Sequence, residues 1–406
     1  MEKKLQISHF WVDHERAPVD SFIRKFEKKF RSIGVETQPM EWGMYFPTLW
    51  AKLTEGNPPD VSITEIGQRL AMFVDGGHLI DLTDLWQEQG YHRVFPEEVK
   101  KGCTVGGKMY GVPSKEFTFA VWYLKDVFKE KGLHPPKTWD RFLKLCEELK
   151  EEGMYPIVSS GWGTSLWFVH VLTGLSGPEF YTDLVEGNES WTDPEVAKAY
   201  QWLKKLVDEY FYPDPYAYSF PTAWMKLNER EAAMQLQGDW VSGMWQRAYN
   251  YSAGDDYDCF ILPPINPRTG HTMVVGGNAW VAFGRTRDRE KAIKFLEYAG
   301  SREAHELLAK KGMGILSRKD VPSKVYDKVL KKLRNRLSKS RRVPEFGVYL
   351  PQEFINFEGK RRLRMLLSPT ITAQKIRELL NEVEEYKNTL KSPTKPDVGA
   401  PRETQG

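Results

Sequence analysis

The spacing of apolar residues in the N-terminal stretch switches repeatedly between two periods, and that switching limits the folds open to the chain. From Leu5 to Trp11 the residues Leu5, Ile7, His9 and Trp11 fall in phase, the period of a strand. Over Asp20 to Phe30 the residues Phe22, Ile23, Phe26 and Phe30 share one helical face, with Lys and Glu opposite. Val35 to Met40 reads as a second strand, Phe46 to Leu53 as a second helix and Asp60 to Thr64 as a third strand. Repeated strand–helix–strand alternation predicts an α/β sheet. Ligands of such sheets sit beyond the carboxyl ends of the strands. The loops to watch are therefore Val12–Ala17, Glu41–Tyr45 and Glu65–Arg69.

A chain of 406 residues exceeds what one core ordinarily serves and suits two domains. A formal net charge of +3 is small for this length, so nothing global points to nucleic acid or a membrane surface. Aromatic residues reach 13%, and many stand beside Gly, Pro or Asp, where a ring can offer its face to a ligand. Cys103, Cys146 and Cys259 are far apart and form no C-x-x-C, which predicts buried apolar residues, with one disulfide left open. The histidines make no H-E-x-x-H, since His305-Glu306-Leu307-Leu308-Ala309 ends on the wrong residue. A phosphate loop and a G-x-S-x-G elbow are absent too, so no metal, cofactor or catalytic residue is expected. Lys331 to Arg342 carries seven cations in twelve residues and reads as a solvated helix face or loop, a phosphate-binding patch being the alternative. The first residues hold no apolar stretch long enough for a signal peptide, and no later run could span a bilayer. The tail 392–406 is rich in Pro, Lys and Gly and is expected to be flexible.

Several short blocks stand in order along the chain. They are Pro59-Asp60-Val61, G-K-M-Y-G-V-P from Gly107, V-W-Y-L-K-D from Val121, P-P-K-T-W-D from Pro135, A-A-M-Q-L-Q-G-D-W from Ala232 and G-G-N-A-W-V-A-F from Gly276. Together the chain resembles the extracellular solute-binding proteins of bacterial carbohydrate ABC transporters, the maltose-binding-protein-like family. The resemblance implies a two-domain periplasmic-binding-protein fold, α/β in class, with three interdomain crossovers and a ligand cleft between the domains. It implies an N-terminal domain of residues 1–113 plus 259–313 and a C-terminal domain of 114–258 plus 314–391. Within that frame, Thr138 caps a helix whose face carries Phe142, Leu145, Cys146 and Leu149. Val196–Tyr210, Arg289–Tyr298 and Arg302–Lys310 read as helices, and Glu229–Gln237 as a short helix closed by Gly238. Tyr257–Leu262 and Met273–Phe283 read as strands.

The resemblance also implies an extracytoplasmic receptor, a monomer whose signal segment is missing from this chain, with a carbohydrate ligand and permease subunits as partners. Sugar recognition needs flat aromatic faces against C–H surfaces and polar side chains around the ring edge. Trp11, Trp42, Tyr45, Trp162, Trp167, Trp240 and Trp280 fall in predicted loops or at strand ends, and the many Trp favour an oligosaccharide. Asp13, Glu15, Glu41, Glu65, Gln68, Glu116, Asp239 and Asn278 lie beside them. Gly276 and Gly277 would let backbone approach closely, and in relatives this loop touches ligand. Asn278 stands where relatives often carry an aromatic residue, and Leu124 replaces a common Asn. A receptor of the same fold for a non-sugar solute, or a glycoside hydrolase with a positioned carboxylate pair, remains open from sequence alone.

Overall fold

A computed structural model describes residues 4–390, so the tail expected to be flexible lies outside the described residues. The described chain forms two compact units, residues 4–117 with 276–326 and residues 118–275 with 327–390. It passes from one unit to the other after Phe117, Val275 and Tyr326. All three steps fall later than the 113, 258 and 313 that the resemblance implies. The first two occur inside strands, Val112–Leu124 and Thr272–Ala282, which run past the turns that precede them. The third is delayed because the segment around Leu316 stays hydrogen-bonded to the first unit. Glu116 donates its N–H to the Ile315 carbonyl (3.2 Å), and Ser317 donates to Ser114 (3.1 Å).

The first unit follows the alternation read from sequence. Strands β1 (Leu5–His9), β2 (Val35–Pro39) and β3 (Val61–Glu65) are parallel in the order β2-β1-β3. The C-terminal part of Thr272–Ala282 closes the far side antiparallel to β3, pairing Asn278 with Glu65 and Trp280 with Ile63. Each parallel strand leads into a helix: α1 (Asp13–Lys29), α2 (Trp42–Thr54) and α3 (Gln68–Asp75). The connecting loops are shorter than expected. Helices begin at Asp13, Trp42 and Gln68, so much of each predicted loop is the first helical turn. Asp60 explains the Pro59-Asp60-Val61 block. Its buried carboxylate accepts from the N–H groups of Gln6 (2.8 Å) and Arg287 (2.9 Å) and from the Thr286 hydroxyl (2.8 Å). Removing it would leave those donors without their acceptor at the start of β1.

The second unit is built on Ala232–Gly238, a strand rather than the helix expected from its Ala, Met and Gln content. It lies between Val112–Leu124, antiparallel with Phe119 opposite Gly238, and Tyr155–Ile157, parallel. Every residue of this strand is buried, so tertiary pairing overrides helical propensity. Tyr257–Phe260 borders the other edge of Val112–Leu124, and Arg341–Pro344 pairs with Thr272–Val275. The helix Gly163–Ser176 is buried on all sides from Gly163 to Gly174 and packs in the centre of the unit. Thr138 caps Trp139–Glu151 through the Arg141 N–H (3.3 Å), as expected. The basic stretch forms the helix Lys328–Leu337, with Val329, Leu330, Leu333 and Leu337 inward, followed by the strand Arg341–Pro344. All three cysteines are free and buried, and burial raises the Cys259 thiol to about 12.

Three buried histidines couple this packing to pH. Burial lowers His9, His170 and His305 from 6.5 to about 4. Around His9, Asp20 opposes this shift and Arg16 adds to it. An unfolded histidine takes up a proton below about pH 6.5, whereas these folded ones resist until about pH 4. Their contribution is complete above about pH 6.5 and is lost as pH falls toward 4, with about 2 kcal/mol lost per histidine by pH 5. The only hydrogen bond that bears on the His9 ring is a weak one to the Trp11 backbone, so His9→Phe removes little besides the titrating group. His9→Phe is expected to lose less stability than wild type between pH 7 and pH 5 in urea unfolding. Equal losses in the two proteins would show that His9 does not titrate as described.

Candidate functional site

In the first unit the carboxyl ends of β1, β2 and β3 gather the polar candidates. Asp13 opens α1 with φ of +46°, a left-handed conformation that Asp tolerates better than most residues. Asp13 and Glu41 are exposed, and Trp42 is 46% exposed at the first turn of α2. Trp42 meets Phe46 edge-on at 6.0 Å. The Arg69 guanidinium lies 3.9 Å from the centre of the Phe46 ring and donates Nε–H to Glu65 (2.7 Å). Trp42, Phe46, Arg69 and Glu65 thus form one connected cluster, with Trp42 exposed, Phe46 buried and the ion pair largely covered. Asn278 pairs with Glu65 across the sheet, and Gln68, Glu116 and Asn278 are buried.

Three aromatic candidates of this unit are core residues. Tyr45 lies on α2 rather than in a loop, and its hydroxyl is 3.0 Å from the Ser8 carbonyl, 2.9 Å from that of Ile63 and 2.6 Å from Ser62 Oγ. Those partners saturate the hydroxyl and tie α2 to β1 and β3. Trp280 lies within a strand, stacked on Phe22 (5.9 Å, 14°) and edge-on to Phe295 (5.2 Å, 85°). Trp11 packs edge-on against Trp280 at 5.6 Å and is buried. The exposed faces these residues were expected to offer are covered by neighbours of their own unit. The Gly276–Gly277 pair lies inside the same strand rather than in a loop. A Cβ on Gly277 would stand 2.8 Å from Ile66 Cδ1 and 3.0 Å from the Lys115 carbonyl, so glycine is needed for sheet packing.

In the second unit the aromatic candidates separate differently. Trp167 is fully buried on the helix Gly163–Ser176 between Phe142 (6.2 Å) and Phe211 (5.4 Å). The lack of any charged residue in this helix could have shown it, because such a helix has no solvent face. Trp162, just before that helix, is 41% exposed. Its ring is 6.4 Å from Trp240 at 32°. Phe119 packs against both, at 6.0 Å and 5.9 Å, and Phe220 meets Trp240 edge-on at 6.4 Å. Trp240 and Phe220 are half-buried, so Trp162, Trp240 and Phe220 form an aromatic shelf with solvent access and Phe119 beneath. Asp239 is fully buried behind it, with its N–H donated to the Thr118 carbonyl (3.0 Å).

The shelf has its own supports, most of them missed in the sequence. Ser160 Oγ accepts from Gly163 N–H (3.1 Å), fixing the turn that carries Trp162. Thr164 Oγ1 lies 3.1 Å from the Tyr216 hydroxyl, and the Tyr216 ring would be 3.0 Å from a Cβ on Gly161. Phe220 opens a helix capped by Ser219, with Pro221 in its first turn, a start signal readable as Ser219-Phe220-Pro221. Arg69 had only its spacing of four from Glu65 to announce it. Among the described residues no group of three or more His, Cys, Asp or Glu could hold a metal ion.

Gly238 controls the shelf most directly. A Cβ there would lie 2.1–2.4 Å from Trp240 ring carbons, so the indole rests on bare backbone. Gly238→Ala is expected to turn the ring out of this seat. In protein labelled with 5-fluorotryptophan, the resonance identified by its loss in Trp240→Phe should shift. An unmoved resonance would mean that the seat accommodates a methyl group.

Residues 13–306 match the family of bacterial extracellular solute-binding proteins. An uncharacterized ABC transporter extracellular-binding protein of Pyrococcus horikoshii is 28% identical over 367 residues, covering 87% of this chain and 81% of its own length. The xylose/arabinose-binding protein of Haloferax volcanii is 25% identical over 317 residues, 75% of this chain and 67% of its own. Among solved structures, a chitin oligosaccharide binding protein superposes with a TM-score of 0.84 at 24% identity, over 95% of this chain and 99% of that one. The fold is therefore the two-domain α/β fold of periplasmic solute-binding proteins. With more than half of its length matched, this chain belongs to the family of bacterial extracellular solute-binding proteins.

Proposed function

We propose that this protein is the carbohydrate receptor of an ABC importer, extracytoplasmic and monomeric. It would take an oligosaccharide between its two units and deliver it unchanged to membrane permease subunits. The observation that carries the ligand class is the shelf of Trp162, Trp240 and Phe220. Aromatic faces with solvent access suit the C–H faces of pyranose rings. In the other unit Glu65, Arg69, Asp13 and Trp42 offer the charge-assisted hydrogen bonds and the ring face that sugar hydroxyls and edges require. The named ligands of similar proteins, xylose/arabinose and chitin oligosaccharide, support the same class. The mixed charges of these walls argue against a strongly ionic solute.

In this reading, ligand touching both units favours a closed arrangement over an open one. The aromatic faces and hydrogen bonds share the binding free energy, and no single carboxylate is indispensable. Trp240→Ala is expected to weaken binding by roughly ten- to a hundredfold, since a stacked ring is worth on the order of 1–3 kcal/mol. Calorimetric titration with the neutral or uronic oligosaccharide that most raises the melting temperature would measure this. Unaltered affinity in a folded mutant would remove Trp240 from the site.

Closure and release unchanged can be read together. Saturating oligosaccharide should reduce the radius of gyration in small-angle scattering, and chromatography after prolonged incubation should recover the sugar intact. Shorter products that vanish in Glu65→Gln, Glu116→Gln or Asp239→Asn would instead identify a hydrolase. Scattering curves that coincide under proven saturation would count against a hinge.

A further inference from the structure

The second unit carries another concavity, a groove of about 620 Å³ at the far end of the strand that holds Phe119. Tyr123 and Leu124 contribute to it, and Tyr123 lies about 13 Å along the strand from Phe119 at 3.3 Å per residue. The groove is within the size range of small-molecule sites. One wall is Tyr251, stacked on Tyr249 at 5.4 Å and 29°, with Tyr249 itself 40% exposed. The rim carries Arg230, Asp126, Asp255 and Asp256.

The charges of the lining balance. Lys125, Lys129 and Arg230 oppose Asp126, Asp255 and Asp256, three against three, so a neutral ligand is favoured over an ion. The planar groups are held in place. Arg230 donates Nη2 (2.5 Å) and Nε (3.2 Å) to Asp126 Oδ2, and Nη1 to the Asn228 carbonyl (2.6 Å). Lys125 Nζ donates to the Gly254 carbonyl (2.5 Å), fixing the turn before Asp255 and Asp256, both of which are exposed.

Two helix ends border the groove. Arg230 (φ +60°) and Asn250 (φ +56°) are two of the four non-glycine residues with left-handed backbone among the described residues. One lies on the groove rim and the other adjoins Tyr251. Both are left-handed residues that close helices, Arg230 after Phe220–Asn228 and Asn250 after Trp240–Tyr249. Arg230 and Tyr251 thus leave the ends of these two helices toward the groove lining. An aromatic face beside immobilised, mutually neutralising carboxylate and guanidinium groups is the chemistry that recognises a neutral polyol ring.

We propose that this groove is a second saccharide site, taking a neutral pyranose or a short oligosaccharide independently of the Trp162–Trp240 shelf. The inference stands on the chemistry of the groove and does not require the transport reading. Hydrogen-exchange mass spectrometry on the full chain, with millimolar maltotriose, xylotriose and chitotriose in turn, tests it. At least one of these sugars should slow exchange in residues 125–135 and 249–256. Tyr251→Ala and Arg230→Ala should abolish that protection, with Tyr251→Ala weakening binding there about tenfold through the lost ring contact. The Trp162→Ala/Trp240→Ala double variant should keep it. Absence of protection with all three sugars overturns the proposal, as does protection that survives both groove variants or disappears in the shelf variant. Failure of the shelf reading would appear elsewhere, as unprotected segments around Trp162 and Trp240.

Discussion

Much of the first unit leans on the packing of one indole. Trp280 is stacked on Phe22 from α1, meets Phe295 edge-on and supports Trp11 beyond the end of β1. Burying an aromatic side chain contributes about 1.5–3 kcal/mol, and each oriented ring pair about 0.5–1.5 kcal/mol more. Because Trp280 pairs with Ile63 on β3, this packing also sets the height of α1 above the sheet. The turn through Val12 and Asp13, and the exposed start of α1, therefore have a rigid floor. The family block G-G-x-x-W is legible in these terms. Gly277 admits Ile66 and the Lys115 carbonyl on one side of the strand, and the indole three residues on fills the core.

The second unit solves the opposite problem, keeping large rings accessible to solvent without letting them collapse inward. Phe119 supports Trp162 and Trp240 from beneath, and the missing side chain at Gly238 provides the seat for Trp240. The Ser160 and Thr164–Tyr216 contacts pin the turn on the other side. A shelf pinned at both ends loses little side-chain entropy when a ligand settles on it, which is what preorganisation means for affinity.

What could be read from the sequence divides along a physical line. The elements of the first unit were legible because β1 sets Leu5, Ile7 and His9 in phase and α1 gathers Phe22, Ile23 and Phe26 on one buried face. The crossover from Gly312 onward was not, because backbone bonds to Ser114 and Glu116 keep the segment in the first unit, and such pairing leaves no local trace. Among the site candidates, Trp42, Trp162 and Trp240 kept solvent access, whereas Tyr45, Trp167 and Trp280 did not. A tryptophan beside Gly or Asp looks the same in either situation. What decides it is which neighbours the fold brings over the ring, and here those are Phe22, Phe295, Phe142 and Phe211, distant in sequence.

The strand Ala232–Gly238 has a consequence for how the chain acquires its structure. Its residues Ala, Ala, Met, Gln and Leu favour a helix when isolated, yet they end as a central strand whose partners are Phe119–Tyr123 and Tyr155–Ile157. Loop closures of about eighty and more than a hundred residues must precede its correct pairing, and such non-local contacts form slowly. During synthesis the segment emerges with local preference and final geometry in conflict, a point of frustration in an otherwise consistent sequence. The central pairing of the second unit therefore consists of contacts distant in sequence. An early helix at residues 232–238 would have to melt before Gly238 could receive the indole beside it.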